Sequence, residues 1–147
     1  MSYVGLDDHI EIKPNFETNF TFRYWDGTIV QGTFDNMVDE SVYDTQKDVC
    51  HGPSWHYSYM CPNVINNNVA DGKVLVLGDS YEHVMLPFLA LGVSKIDWLV
   101  MRDYGGSLRE YIDAGDYDTV LMCYAHFMIG AHGDPESANY TMFSLHR

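Results

Sequence analysis

From residue 16 to 24 the chain alternates. Phe16, Thr18, Phe20, Phe22 and Tyr24 share one parity, and Glu17, Asn19, Thr21 and Arg23 share the other. A period of two predicts a half-buried strand. Asp26-Gly27 follows, a hairpin signal because glycine tolerates positive φ, and residues 28–34 read as the returning strand. Residues 35–72 lose all periodicity. They are acidic at Asp35, Asp39, Glu40, Asp44 and Asp48, and are broken by Gly52-Pro53, Cys61-Pro62, Asn66-Asn67-Asn68 and Asp71-Gly72. The expectation there is a long loop.

At Lys73 the pattern changes again. Val74-Leu75-Val76-Leu77 is a short apolar run that ends at Gly78-Asp79-Ser80-Tyr81, so a buried strand enters a sharp turn. Residues 82–91 are apolar at Met85, Leu86, Leu89 and Ala90, which suits a buried helix that Pro87 kinks or restarts and Gly92 closes. A second strand spans 96–101. Ser107 and Glu110 then form a capping box, Leu108, Tyr111 and Ile112 supply a helical stripe, and Gly115 stops it. A third strand spans 119–125. Short apolar strands alternating with helices predict an α/β fold with mostly parallel pairing over residues 73–128, preceded by an antiparallel hairpin over 16–34. Together they suit one domain over 1–147.

Composition narrows the function. Eight basic residues face 21 acidic ones, a formal charge of -13, which disfavours nucleic acid and anionic membrane partners. No segment is long and apolar enough for a membrane span. The first residues, Met1-Ser2-Tyr3-Val4, lack the basic-then-apolar order of a signal peptide. The three cysteines, Cys50, Cys61 and Cys123, form no Cys-x-x-Cys, and His51-Gly52-Pro53-Ser54-Trp55-His56 matches no standard zinc spacing, so no metal site is expected. The 11 Tyr, 7 Phe and 3 Trp read as strand-rich core or as a carbohydrate-stacking surface.

Ser80 stands where α/β sheets place their chemistry, just past a strand's carboxyl end. It is the candidate nucleophile, unless Asp79 or Ser80 serves only to cap the helix that follows. Gly78-Asp79-Ser80-Tyr81, Pro87-Phe88-Leu89-Ala90, Arg102-Asp103-Tyr104 with Gly106-Ser107-Leu108, and Tyr117-Asp118-Thr119-Val120-Leu121 occur in that order. This set resembles the SGNH (GDSL-type) hydrolase superfamily, in the branch of alginate O-acetyltransferases and bacterial DHHW-motif proteins. The likeness covers residues 70–130 well and residues 8–70 loosely.

The resemblance implies a three-layer α/β sandwich. It implies ester hydrolysis or acyl transfer, often of acetyl groups on sugars, with neither metal nor organic cofactor. Relatives in that branch are often exported or associated with the cell envelope. Ser80 matches the nucleophile and the first oxyanion donor. Gly105 or Gly106 matches the second donor. Where the superfamily places a glycine-x-asparagine, this chain has Ala125-His126-Phe127, so His126 takes the place of the asparagine donor. Tyr81, Arg102 and Tyr104 fall at substrate-facing positions.

The catalytic base is where the chain departs. No Asp-x-x-His follows Ser80. Upstream, Asp7-Asp8-His9 has the branch's Asp-x-His spacing without its tryptophan, and Asp48-Val49-Cys50-His51 has an Asp-x-x-His spacing. The pair is Asp7 with His9, or Asp48 with His51, or it lay upstream of Met1, or it has been lost. The competing expectations are an esterase or O-acyltransferase acting on acetylated carbohydrate, and a truncated or degenerate SGNH-like domain that binds carbohydrate or protein. A flavodoxin-like phosphate-binding domain is disfavoured by the charge.

Overall fold

A computed structural model describes residues 12–37 and 62–125. Six strands form one sheet: β1 Phe20–Arg23, β2 Ile29–Gly32, β3 Asn63–Asn66, β4 Lys73–Gly78, β5 Lys95–Val100 and β6 Thr119–Cys123. Their order across the sheet is β2-β1-β3-β5-β4-β6. Two α-helices accompany them, α1 Leu86–Ala90 and α2 Leu108–Gly115. Among these residues no helix is long and apolar enough to cross a membrane.

The α/β class and the leading hairpin agree with the sequence. Gly27 has φ +87°, and Thr28 N–H donates to Asp26 Oδ1 at 2.8 Å, closing the turn between β1 and β2. The sheet is mixed, however, rather than mostly parallel. β5, β4 and β6 pair in parallel, whereas β2–β1, β1–β3 and β3–β5 pair antiparallel.

The cause is β3, inside the stretch expected to be loop. It is short and has asparagine at both ends, a residue depleted in strands. Tertiary partners accept from the side-chain N–H groups of both. Asn63 Nδ2 donates to the carboxylate of Asp97, and buried Asn66 donates from Nδ2 to the Ala90 carbonyl at 2.9 Å. β3 thereby welds the hairpin to the parallel strands.

The alternation along β4 and β5 splits the core. Val74, Val76, Ile96, Trp98 and Val100 face one side with Phe20, Phe22, Phe34, Leu86 and Ala90. Leu75, Leu77, Leu99 and Met101 face the other with Leu108 of α2. The short α1 begins at Met85 after a 3-10 turn over Ser80–Val84, with Pro87 in its first turn, so the proline restarts the helix rather than kinking it. The serine half of the expected capping box forms: Glu110 N–H donates to Ser107 Oγ at 3.3 Å. At the other end of α2, Gly115 is still helical, and Asp116 takes the left-handed conformation at φ 49°. The Tyr117 ring lies over Gly115, where a Cβ would collide with it.

One charged residue lies inside the second core. Asp97 is buried in β5, where Lys95 Nζ approaches its Oδ2 at 2.8 Å, Tyr117 O–H donates to Oδ2 and Asn63 donates to Oδ1. Burial, then the hydrogen bond and charge of Asp97, pushes the Tyr117 phenol up. Removing one member of such a cluster strands the others. Asp97→Ala is expected to cost ~3–5 kcal/mol in a urea unfolding titration, whereas breaking the exposed Lys73–Asp116 pair, at 2.7 Å, is expected to leave the same measurement nearly unchanged.

Candidate functional site

β3 is antiparallel to both β1 and β5, and β4 and β6 are parallel to β5, so β1, β5, β4 and β6 all end at the same edge of the sheet. That edge gathers the Trp25 turn, the 101–107 loop, the Ser80 turn and Ala125.

Ser80 follows Asp79 at the end of β4. Asp79 is 1% exposed and N-caps the 3-10 turn: its Oδ1 accepts from Tyr81 N–H at 2.8 Å, and its Oδ2 accepts from Ala125 N–H at 2.7 Å. Both the capping and the strand-end readings of Gly78-Asp79-Ser80 therefore apply, and Asp79 is the cap. Met101 N–H donates to the Gly78 carbonyl at 3.3 Å, which joins the loop after β5 to the same point.

A second carboxyl lies against Asp79. Glu82 is 5% exposed, and among the described residues neither of its oxygens has a hydrogen-bond partner. Burial first, then interaction with the Asp79 carboxyl, raises its pKa to about 8, so it is mostly neutral at pH 7. The sequence hid this residue, because a glutamate two positions past a candidate nucleophile reads as a solvated first-turn acid.

A cavity of about 280 Å³ opens at the end of β5. Trp25 from the hairpin turn, Trp98, Asp103, Tyr104 and Gly105-Gly106 line it. Trp25 is 54% exposed although it faces the cavity. Its place could not be read from the sequence, because it depends on β3 carrying the hairpin to this edge.

Of the expected site residues, Gly105, Gly106 and Tyr104 line the cavity, one strand away from Ser80, since Gly78 and Val100 are paired neighbours. A Cβ at Gly105 would meet nothing within 4 Å. Tyr104 O–H donates to the Ser107 carbonyl at 3.4 Å, and Arg102 Nε lies 3.6 Å from Asp103 Oδ1. Tyr81 is 60% exposed beside Ser80. Asp7, His9, Asp48, His51 and His126 lie outside the described residues, as do Cys50 and Cys61. Among the described residues no group of three or more His, Cys, Asp or Glu side chains is placed to hold a metal ion.

The fold is that of an α/β protein with a mixed sheet. No family model matches the chain. No curated protein matches it by sequence. Solved structures do. A DHHW family protein from Eubacterium siraeum aligns at a TM-score of 0.50 and 17% identity, over 82% of this chain and 40% of that one. PatB1 of Bacillus cereus aligns at 0.48 and 22% identity over 75% of this chain and 36% of that one, and the same protein with a sulfonyl adduct at 0.48 and 21%. The likeness to the DHHW family protein is one of fold. The chain spans 36 to 40% of the length of these solved chains.

The crowding at the strand end is testable. A Cβ at Gly78 would collide with the Glu82 carboxyl and with the Cys123 backbone carbonyl, and the carbonyl has no rotamer by which to retreat. Gly78→Ala is expected to lower stability by ~1–3 kcal/mol in urea.

Proposed function

We propose that the chain is an SGNH-like serine esterase or O-acyltransferase acting on acetylated carbohydrate, with Ser80 as nucleophile. The observation that carries this reading is the position of Ser80, immediately after the buried Asp79 bridge and one strand from the Gly105-Gly106 cavity. The finer architecture that goes with it is a three-layer sandwich forming one domain over 1–147.

In this mechanism Ser80 Oγ attacks the acyl carbonyl while a histidine takes its proton. His51 backed by Asp48, or His9 backed by Asp7, supplies that base. General-base help is worth ~10²–10⁴ in rate. The N–H groups of Ser80 and of Gly105 or Gly106, with His126, face the developing oxyanion. The tetrahedral adduct collapses, the protonated sugar oxygen leaves, and water or an acceptor hydroxyl then takes the acyl group from Ser80. Trp25, Tyr81, Arg102 and Tyr104 hold the sugar. The exposed indole suits the apolar C–H face of a sugar ring, and Asp103 suits its hydroxyls. The formal charge of -13 favours a neutral glycan over an anionic one.

A fluorophosphonate probe is expected to label the native chain and not Ser80→Ala. An unlabelled native chain, or labelling that persists in the variant, removes the enzyme reading. Trp25→Ala is expected to weaken binding of neutral oligosaccharides about tenfold, near 1.4 kcal/mol, by intrinsic fluorescence titration, while turnover of p-nitrophenyl acetate is unchanged.

The second reading is a truncated or degenerate SGNH-like domain with a carbohydrate- or protein-binding role. The sequence features that favour it are Ala125-His126-Phe127 in place of the glycine-x-asparagine and the lack of an Asp-x-x-His after Ser80, because a serine without a base is a poor nucleophile. Oligosaccharide binding that depends on Trp25, without any labelling of Ser80, is its signature.

A further inference from the structure

Glu82 has no part in the mechanism above, yet it is buried at the strand end beside Asp79. Its carboxyl folds back from the 3-10 turn over the backbone of Gly78, between the ends of β4 and β6, in the space a Cβ at Gly78 would need. Its oxygens are buried without a hydrogen-bond partner among the described residues. Burying a carboxylate that way is expensive, whereas a neutral carboxyl is tolerated. The titratable groups around it, among the described residues, are Asp79 at the end of β4 and Cys123 and Tyr124 at the end of β6. None brings a positive charge. Burial raises the Cys123 thiol and the Tyr124 phenol, and the carboxyls of Glu82 and Asp79 raise them further. Only the N–H groups of Glu82 and Asp79 pull Glu82 the other way.

Asp79 is the neighbour that matters. Its two oxygens hold Tyr81 N–H on one side of Ser80 and Ala125 N–H at the end of β6. A second negative charge beside it cannot be accommodated at the same burial, because two adjacent carboxylates repel strongly in a low dielectric.

We propose that Glu82 is a positioning residue, whose neutral carboxyl packs against Asp79 and thereby keeps the Ser80 turn bridged to the end of β6. When Glu82 loses its proton, one of the two carboxylates must move toward water. The wedge over Gly78 is lost, and the Tyr81 and Ala125 bridges to Asp79 loosen with it. The step is a single proton release to solvent with no covalent change. The effect on acyl transfer rests on the esterase reading. The locking of the turn does not.

The sign follows from the raised pKa. An unfolded glutamate ionises near its ordinary value of 4.5, while the folded Glu82 holds its proton to about 8. The stability contributed by the neutral form is complete below pH 4.5 and is lost as pH rises toward 8. In the full chain, the Tyr81 and Ala125 amide resonances are expected to titrate together with a midpoint near pH 8. In Glu82→Gln they are expected to stay fixed near their neutral-pH positions, and the fall in melting temperature between pH 5 and 8 is expected to flatten. Fluorophosphonate labelling of Ser80 is expected to drop at least fivefold between pH 7 and 9.5 in the native chain and to be retained in the glutamine variant. Amide signals of the native chain that do not move between pH 6.5 and 9.5 overturn the proposal, whether or not Glu82→Gln folds. So does a glutamine variant whose amide signals titrate as the native ones do. If Ser80 is never labelled but the amides titrate, the esterase reading fails and the turn lock stands.

Discussion

Two backbone N–H groups, one from the turn after β4 and one from the end of β6, converge on the carboxylate of Asp79. Everything proposed for this edge of the sheet depends on that bridge. A strand end is ordinarily the least constrained part of a parallel sheet, since its ladder stops there and its loops diverge. A buried acceptor with both oxygens engaged removes that freedom, and charge-assisted bonds of this type are stronger than neutral ones. It ties the backbone just after Ser80 to the end of β6. The cost is a buried negative charge, which makes the ionisation state of any neighbour matter. Glu82 is that neighbour.

The second organising constraint lies in β5. Asp97 is buried within an apolar strand and is tolerated because Lys95, Tyr117 and Asn63 surround it. Its partners come from three places: its own strand, the start of β3, and the turn after α2. The cluster therefore ties the antiparallel half of the sheet to the segment that precedes β6. Lys95 also lies 5.0 Å from the centroid of the Tyr117 ring, and Tyr117 stacks on Tyr111. Tyr104, Tyr111, Tyr117 and Tyr124 thus pack on the α2 face of the sheet, while Trp25, from the other end of the sequence, stays open at the cavity.

Residues 73–125 were legible because each element there obeys one rule strongly: a run of apolar residues in β4 and β5, a capping box before α2, a proline that restarts a helix. The first hairpin was legible for the same reason. Residues 63–66 were not, because Asn63 and Asn66 argue locally against a strand and are reconciled with one only by Asp97 and by the Ala90 carbonyl. Missing β3 was enough to misjudge the sheet as mostly parallel, and to leave Trp25 without any expected relation to Ser80.

The sequence by itself determined where strands end and which residues stand there, since hydrophobic period and turn chemistry are local properties. It therefore put Ser80, Gly105 and Gly106 just past the ends of two strands that turn out to be parallel neighbours, and its family likeness suggested a role for them. Only the tertiary structure decided what surrounds them. Whether a carboxyl is solvated or buried, and whether a tryptophan meets a cleft or the core, is set by strand order and packing between segments far apart in the chain. For that reason Glu82, unremarkable as a letter in the sequence, becomes a neutral acid at the strand end, and the backbone just after Ser80 becomes tied to the end of β6 through its neighbour Asp79.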